Sequence, residues 1–298
     1  MDRPGMGFLN CLKADLLMAR SCRQILTIDW AGEDLPTLPS VVHKLLAVAS
    51  DDKKKISDLA DIISRDPTMA IRVLKVVNNA FYSIGVEVTS IKHAISLLGF
   101  KEIVRITFGV VMSERFLTVA PEVRLYAEAL WRHLIATAVI AQDLAPDGGE
   151  EADLYTLGLL HDIGWLVLMA QAPMVMIRLA EEEGTTRQEA EWLWGVDHQL
   201  WGARLAERWG LPEPFQIVAL RHHDPFLELD PPDYLVRIAL ADYLVHYMGA
   251  TVVNKPEKEI DPMVLGRLAI CDDAFDEIKK SVKAKARGIE DLWRSMSS

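Results

Sequence analysis

Apolar residues recur at intervals of three and four along most of the chain, and hardly anywhere in the strict alternation of a half-buried strand. Residues 6–28 carry Leu9, Leu12, Leu16 and Ala19 at helical spacing, which predicts an accessory helix. The run Leu35-Pro36-Thr37-Leu38-Pro39 leads into a second helix whose apolar face holds Val42, Leu45, Leu46, Val48 and Ala49. Ser57 is placed to cap a helix over 58–64. Asp66-Pro67 ends it and caps the next, over 68–80, whose pattern buries Ile71, Leu74 and Val77, with Asn78-Asn79 closing it. Ser90 and Gly99 bracket a further helix, and 101–116 completes this half.

Pro121 opens a longer helix to about residue 144, ended by the turn Pro146-Asp147-Gly148-Gly149. Its stripe runs Tyr126, Ala129, Leu130, His133, Thr137, Ile140, Leu144. A helix from near residue 151 carries Leu154, Leu157 and His161 on one face, followed by Asp162 and Gly164. Thr186 and Glu189 match a capping box. Asp197 caps a helix over 198–209, and Pro214 opens the one that delivers His222-His223. Residues 233–248 set Leu235, Ile238, Ala239, Asp242 and Val245 on one stripe. Beyond 250 the pattern predicts a short helix and a charged tail. The fold class expected is all-α: a bundle of an N-terminal helical subdomain packed on a second one. The expected segments are residues 1–29, 30–120, 121–250 and 251–298.

Composition adjusts this picture little. With 298 residues, half of them apolar and a quarter charged, the chain is long enough for a large core or two packed subdomains. A formal charge of −11, its signs interspersed, argues against a surface that tracks nucleic-acid phosphates, so the helix pair over 57–80 reads as a packing unit rather than a helix-turn-helix. Lys53-Lys54-Lys55 reads as a solvated loop. Cys11, Cys22 and Cys271 lack metal-binding spacing, and an odd count speaks against a disulfide framework. No apolar run reaches the roughly 18–20 residues that span a bilayer. The N-terminus lacks a signal-peptide pattern, so a cytoplasmic location is expected.

The candidate chemistry lies in seven residues: His133, His161, Asp162, His198, His222, His223 and Asp242. Imidazole nitrogens and carboxylate oxygens hold zinc, iron, manganese or nickel, and a bridging carboxylate lets such a cluster hold two ions. A lone histidine on an apolar stripe, as His133 is, is more often a satisfied core residue. A carboxylate on an apolar stripe is costly unless a cation or donors meet it, and Asp242 is such a residue. The residues leave three readings open: a hydrogen-bonded helical core, a metal-bearing sensor or interaction module, and a metal-dependent hydrolase.

Leu35-Pro-Thr-Leu-Pro39, Asp58-Leu-Ala-Asp-Ile-Ile-Ser-Arg-Asp-Pro67, Val76-Val-Asn-Asn79 and Ala94-Ile-Ser-Leu-Leu-Gly99 together resemble the HDOD domain. The resemblance continues through Gly158-Leu-Leu-His-Asp-Ile-Gly164, Trp209-Gly-Leu-Pro212 and His222-His223, covering roughly residues 30–250. It implies a bacterial signalling domain related to the HD phosphohydrolases. The seven candidate residues are also similar in order to the ligand pattern of the HD-GYP phosphodiesterases. That similarity implies one or two divalent transition-metal ions: one held by His133, His161, Asp162 and Asp242, the other by Asp162 as bridge with His198, His222 and His223. An active protein of this kind would hydrolyse a phosphoester of a nucleotide or cyclic (di)nucleotide. The chain departs from that pattern at Trp165, where a phosphate-facing lysine is expected, and at Asp224-Pro225-Phe226-Leu227, which replaces the Gly-Tyr-Pro loop. The resemblance therefore implies a regulatory protein, its partner a signalling protein or a small ligand such as a nucleotide. Pairing with a second copy is a further expectation, through the accessory helix.

Overall fold

Proline, aspartate and serine place most of the helix boundaries. The computed structural model describes residues 26–29, 35–50, 55–146, 153–227, 229–253 and 259–297, so the expected accessory helix over 6–28 lies outside the described residues except at its last three positions, which are not helical. The Lys53-Lys54 pair and most of the turn after Pro146 lie outside them too. The described residues form helices and no strands.

The N-terminal half contains α1 (Ser40–Ser50), α2 (Ile56–Ser64), α3 (Pro67–Val77), α4 (Ile91–Leu98) and α5 (Phe100–Leu117). Asp66 accepts from the Thr68 and Met69 amides, with Pro67 at the first helical position. Ser90 accepts from the His93 amide, and Gly99 follows at φ 86°. Asn78 ends α3 and ties it to the next segment, donating to Val88 O and accepting from Val88 N, both at 2.8 Å. Three expectations need correcting. Ser57 lies inside α2, whose N-cap Lys55 makes no side-chain bond. α3 stops at Val77 rather than Ala80. Ile71, expected in the core, is 67% exposed; Met69, Val73, Val76 and Val77 form the buried face instead.

The second half is built on α6 (Arg124–Asp143), which follows a 3-10 turn at Pro121–Val123. Twelve of its residues are buried, more than one stripe can hold, because α5, α7 (Leu154–Leu160) and α13 (Asp233–Tyr247) all pack on it. Then come α8 (Gly164–Gln171), α9 (Pro173–Glu181), α10 (Arg187–Trp194), α11 (His198–Arg208), α12 (Glu213–Arg221) and α14 (Pro262–Arg267). The Thr186–Glu189 capping box forms as expected at the start of α10. Among the described residues no single helix is long and apolar enough to cross a membrane.

The tail over 251–298, expected to be helical as a short helix with a charged end, is one long helix over most of its length. Residues Asp272–Ser297 form one helix of 26 residues, α15, with Phe275, Val282, Ile289, Leu292 and Met296 buried. It lies across both halves of the molecule. Tyr243 of α13 faces Phe275 near its start. Near its end Arg72 of α3 donates to Met296 O at 2.8 Å, and Ser113 of α5 donates to the same oxygen at 3.0 Å. One hydrophobic cluster runs from Ile28 to Met296 through both halves and α15.

Candidate metal centre

Two glycines set the backbone around Asp162. A Cβ at Gly158 would meet Thr137 O and Ala138 Cα at 3.0 Å, so α7 lies directly against α6. A Cβ at Gly164 would fall 1.8 Å from His198 O, so the start of α8 lies against the start of α11. Between them His161, Asp162 and Ile163 make a short break between α7 and α8. The break aims His161 and Asp162 inward, toward His133 on α6 and His198 at the head of α11. His222 and His223 follow the last turn of α12, and Asp242 projects from α13.

All seven candidate residues meet in one place. Six are buried, and His223 is partly so. Asp162 divides them: its Oδ2 lies 3.6 Å from His133 Nε2 and 3.7 Å from His161 Nε2, while its Oδ1 lies 3.3 Å from His198 Nε2 and 3.2 Å from His222 Nε2. Asp242 joins the first group, with Oδ1 at 3.1 Å from His133 Nε2 and 3.5 Å from His161 Nε2. His223 joins the second, its Nε2 at 3.2 Å from that of His198. Its Nδ1 lies 3.4 Å from Asp242 Oδ2.

The outward-facing nitrogens explain why so many imidazoles point at one another. His133 Nδ1 donates to Ala250 O, His161 Nδ1 to Gly158 O, His222 Nδ1 to Val218 O and His198 Nδ1 to a Glu191 oxygen, at 2.8, 2.8, 3.0 and 2.8 Å. Each bond places a proton on Nδ1 and turns a lone pair on Nε2 toward the centre. His133 and His161 then set their Nε2 atoms 3.2 Å apart. Two lone pairs at that distance repel in the absence of a proton or cation. Around a common ion with bonds of roughly 2.1 Å, neighbouring ligand atoms sit about 3.0–3.4 Å apart, the range in which most of these contacts fall. Asp162 Oδ1, His222 Nε2 and Asp242 Oδ1 are buried and make no aligned hydrogen bond. A buried polar atom left so is costly, and the donor set suits a borderline transition metal. The residues fit the group.

The two carboxylates draw positive charge strongly into the centre, and they raise the His161 imidazole against its burial. Burial raises the Asp162 carboxyl, but His161 and His198 outweigh it and hold it well below the usual range. Burial likewise opposes, and His246, His133 and His161 reverse, the shift at Asp242, which is also held well below. Burial pulls the His198 imidazole down, yet Glu191 and Asp162 push it up to about 9. Burial lowers His222, and burial with the nearby charges of Arg187 and His222 takes His223 well below the usual imidazole range. Both are held toward the neutral form that ligates metal.

Two residues escaped the sequence reading. His246, one turn after Asp242 on α13, places Nδ1 3.1 Å from Asp242 Oδ1 and converges with His133. Its signal was a second polar residue on the same apolar face. Glu191, on the buried side of α10, holds His198 and pairs with Arg187 through Oε1. Nothing in the local pattern marked it. Trp165 is buried and stacks on His198, ring centroids 4.9 Å apart and 10° from parallel, so it supports a candidate ligand and offers no cation.

The centre opens on a cleft of about 100 Å³ lined by Arg187, His222, His223, Asp242, His246 and Glu259, among others. That is well under the roughly 300–1,000 Å³ of pockets that enclose drug-sized ligands.

A family model of the HDOD domain matches residues 35–225. An uncharacterized protein of Treponema pallidum (strain Nichols) is 26% identical over 224 residues, covering 72% of this chain. The chain spans only 43% of that relative's length. Among solved structures, an HDOD domain protein of unknown function from Geobacter sulfurreducens superposes with a TM-score of 0.71 at 25% identity, covering 91% of this chain and 94% of that one. A protein from Shewanella amazonensis SB2B, named as a candidate metal-dependent phosphohydrolase, gives 0.54 at 25% identity, covering 94% and 97%. A candidate signal transduction protein from Marinobacter aquaeolei VT8, at 21% identity and a TM-score of 0.71, shows the fold alone; the match covers 93% of this chain and 63% of that one.

Proposed function

This chain belongs to the HDOD family, and we propose that it works in signal transduction as a sensor or interaction module with a two-ion metal centre in its second half. The observation that carries this reading is the division of Asp162 between two groups of ligands, one oxygen to each. His133, His161, Asp162 and Asp242 would hold one ion. Asp162, His198, His222 and His223 would hold the other. Bound there, divalent ions supply charge that polarises a ligand oxygen. The protein's own residues set the imidazole tautomers, keep bulk water out of the core and limit what can approach. Trp165, buried against His198 where a phosphate-facing lysine is expected, favours sensing or binding over turnover of a cyclic dinucleotide.

Metal analysis of protein purified without a histidine tag tests the proposal. Two ions of iron, manganese, zinc or nickel per chain are expected, and a single ion would confine the site to one of the two groups. If no metal co-purifies and none of these ions raises the melting temperature, the two-ion reading fails.

The second reading is a metal-dependent phosphohydrolase. One observation favours it: the cleft opens directly on His222, His223, Asp242 and His246. A screen of cyclic nucleotides, cyclic dinucleotides and model phosphodiesters with added manganese or iron separates the two. Turnover that disappears on chelation supports hydrolysis; binding without turnover supports the sensor.

A further inference from the structure

The helix α10 has two unlike faces. Arg187, Ala190 and Glu191 are buried, and Glu191 holds His198. Gln188, Glu189, Trp192 and Leu193 face outward, with Trp192 exposed to 63% and Leu193 to 53%. A tryptophan and a leucine side by side in water form an apolar patch that a further segment would cover with gain.

The chain brings such a segment to this place. Gly195 ends α10, and its carbonyl accepts from the Leu26 amide at 2.8 Å. Ile28 is buried in the main apolar cluster. The stretch that leads out of the N-terminal segment is therefore fixed beside the end of α10. Trp192 precedes Gly195 by three residues, roughly 5 Å along a helix axis. Residues 6–25 lie outside the described residues, and their sequence sets Leu9, Leu12, Leu16 and Ala19 at helical spacing.

We propose that residues 6–25 seat their apolar stripe on Trp192 and Leu193 of the same chain. Charge favours the seat. Among residues 1–25, Arg3, Lys13, Arg20 and Arg23 stand against Asp2 and Asp15, four cations to two anions in a chain whose net charge is −11. The surface they meet is acidic, with Glu181 and Glu183 exposed where α9 gives way to α10 and Glu189 on the outer face of α10. The apolar pair supplies the free energy, and the charges set the orientation. An amphipathic segment laid on an apolar face is a recurring mode of recognition. Tethering decides whose segment it is. Held at Leu26, the chain's own segment is present at an effective concentration in the millimolar range, which a second copy or a separate partner must outcompete. The seat does not depend on bound metal. It shares α10 with Glu191, so whatever lifts the segment acts on the helix that orients His198.

Photo-crosslinking of the full chain tests this. With Trp192→p-benzoylphenylalanine, illumination and peptide mapping should recover residues 6–25 joined to position 192. A mixture of isotope-labelled and unlabelled chains reports whether the joined peptides come from one chain. Ile71→p-benzoylphenylalanine, at a similarly exposed position on α3, is the control and should not capture residues 6–25. Adding Leu16→Asp, which places a charge on the apolar stripe, should cut capture at position 192 by about 5-fold or more. A smaller loss overturns the apolar seat, because tethering alone then accounts for the contact. Capture at position 71 as strong as at position 192 also overturns it. Joined peptides that come from two chains overturn the intrachain seat and assign the face to a second copy. No capture of residues 6–25 overturns the proposal outright and leaves the two-ion reading standing.

Discussion

Asp162 is the residue on which the centre depends most, because each of its oxygens faces a different group of histidines. Asp162→Asn keeps the shape but replaces one oxygen with an amide nitrogen that has no lone pair to give an ion. We expect it to lose both ions together, whereas Asp242→Asn, which touches the first group, should retain the second. Metal analysis of the two variants side by side checks this; equal partial losses would argue against a bridging carboxylate. Glu191 acts at one remove. Glu191→Gln should lower metal affinity by about 10–100-fold, the usual effect of altering the partner of a ligating histidine, with the fold unchanged by circular dichroism. A competition titration against a chromophoric chelator reads the shift. The sequence made His133, His161 and Asp242 legible because polar groups on apolar helix faces are costly and stand out, and the other four through the order of the seven and its resemblance to a known ligand pattern. Glu191 could not be read so. A glutamate within a capped, mostly polar helix is ordinary, and its meaning appears only when α10 brings it 2.8 Å from His198.

Helices were legible where local chemistry bounds them and less so where packing decides. Asp66-Pro67, Ser90, the Thr186–Glu189 box and Asp197 all cap as expected, since each bond closes within three residues. Ile71 went the other way because both faces of α3 are partly apolar, and only the position of α5 and α15 selects Met69, Val73 and Val76. The tail misled through its charge. Phe275, Val282, Ile289 and Met296 follow one another at intervals of seven, a buried seam inside a helix rich in lysine and aspartate. Element contacts also predict where substitution is least tolerated. Gly164→Ala would drive a methyl into backbone atoms of His198 and Gly202, at 1.8 and 2.7 Å, where no side chain can turn aside. The start of α8 and that of α11 must then separate. We expect a loss of about 3 kcal/mol or more, the upper range for overpacking, measured by urea denaturation of the metal-free protein. Metal content should fall as well, because His198 moves with the backbone that Gly164 touches.

At the scale of the whole molecule, α15 joins the two halves alongside the direct packing of α5 on α6. Its residues meet α13 at Tyr243, α6 at Arg132, and α3 and α5 through Met296 O. The Arg132 guanidinium lies 4.3 Å over the Trp293 ring and forms an ion pair with Glu290, so the helix is also held to the central helix that carries His133. The main apolar cluster passes through this helix and takes in residues of both halves. A cut in the seam should therefore be felt at the metal centre, although α15 supplies none of the seven residues. Leu292→Ala removes a side chain that is 1% exposed, and truncations of this kind cost about 2–5 kcal/mol. Native stabilities are only about 5–15 kcal/mol, so the shift is large and easily read. In urea, tryptophan fluorescence and release of bound metal should move to lower denaturant together and by the same amount. If fluorescence shifts while metal release stays at the wild-type midpoint, the halves unfold independently and α15 is a surface strap. If the two remain coincident, a ligand or partner that engages the N-terminal half can alter metal retention through the same packing, which is the coupling a sensor needs.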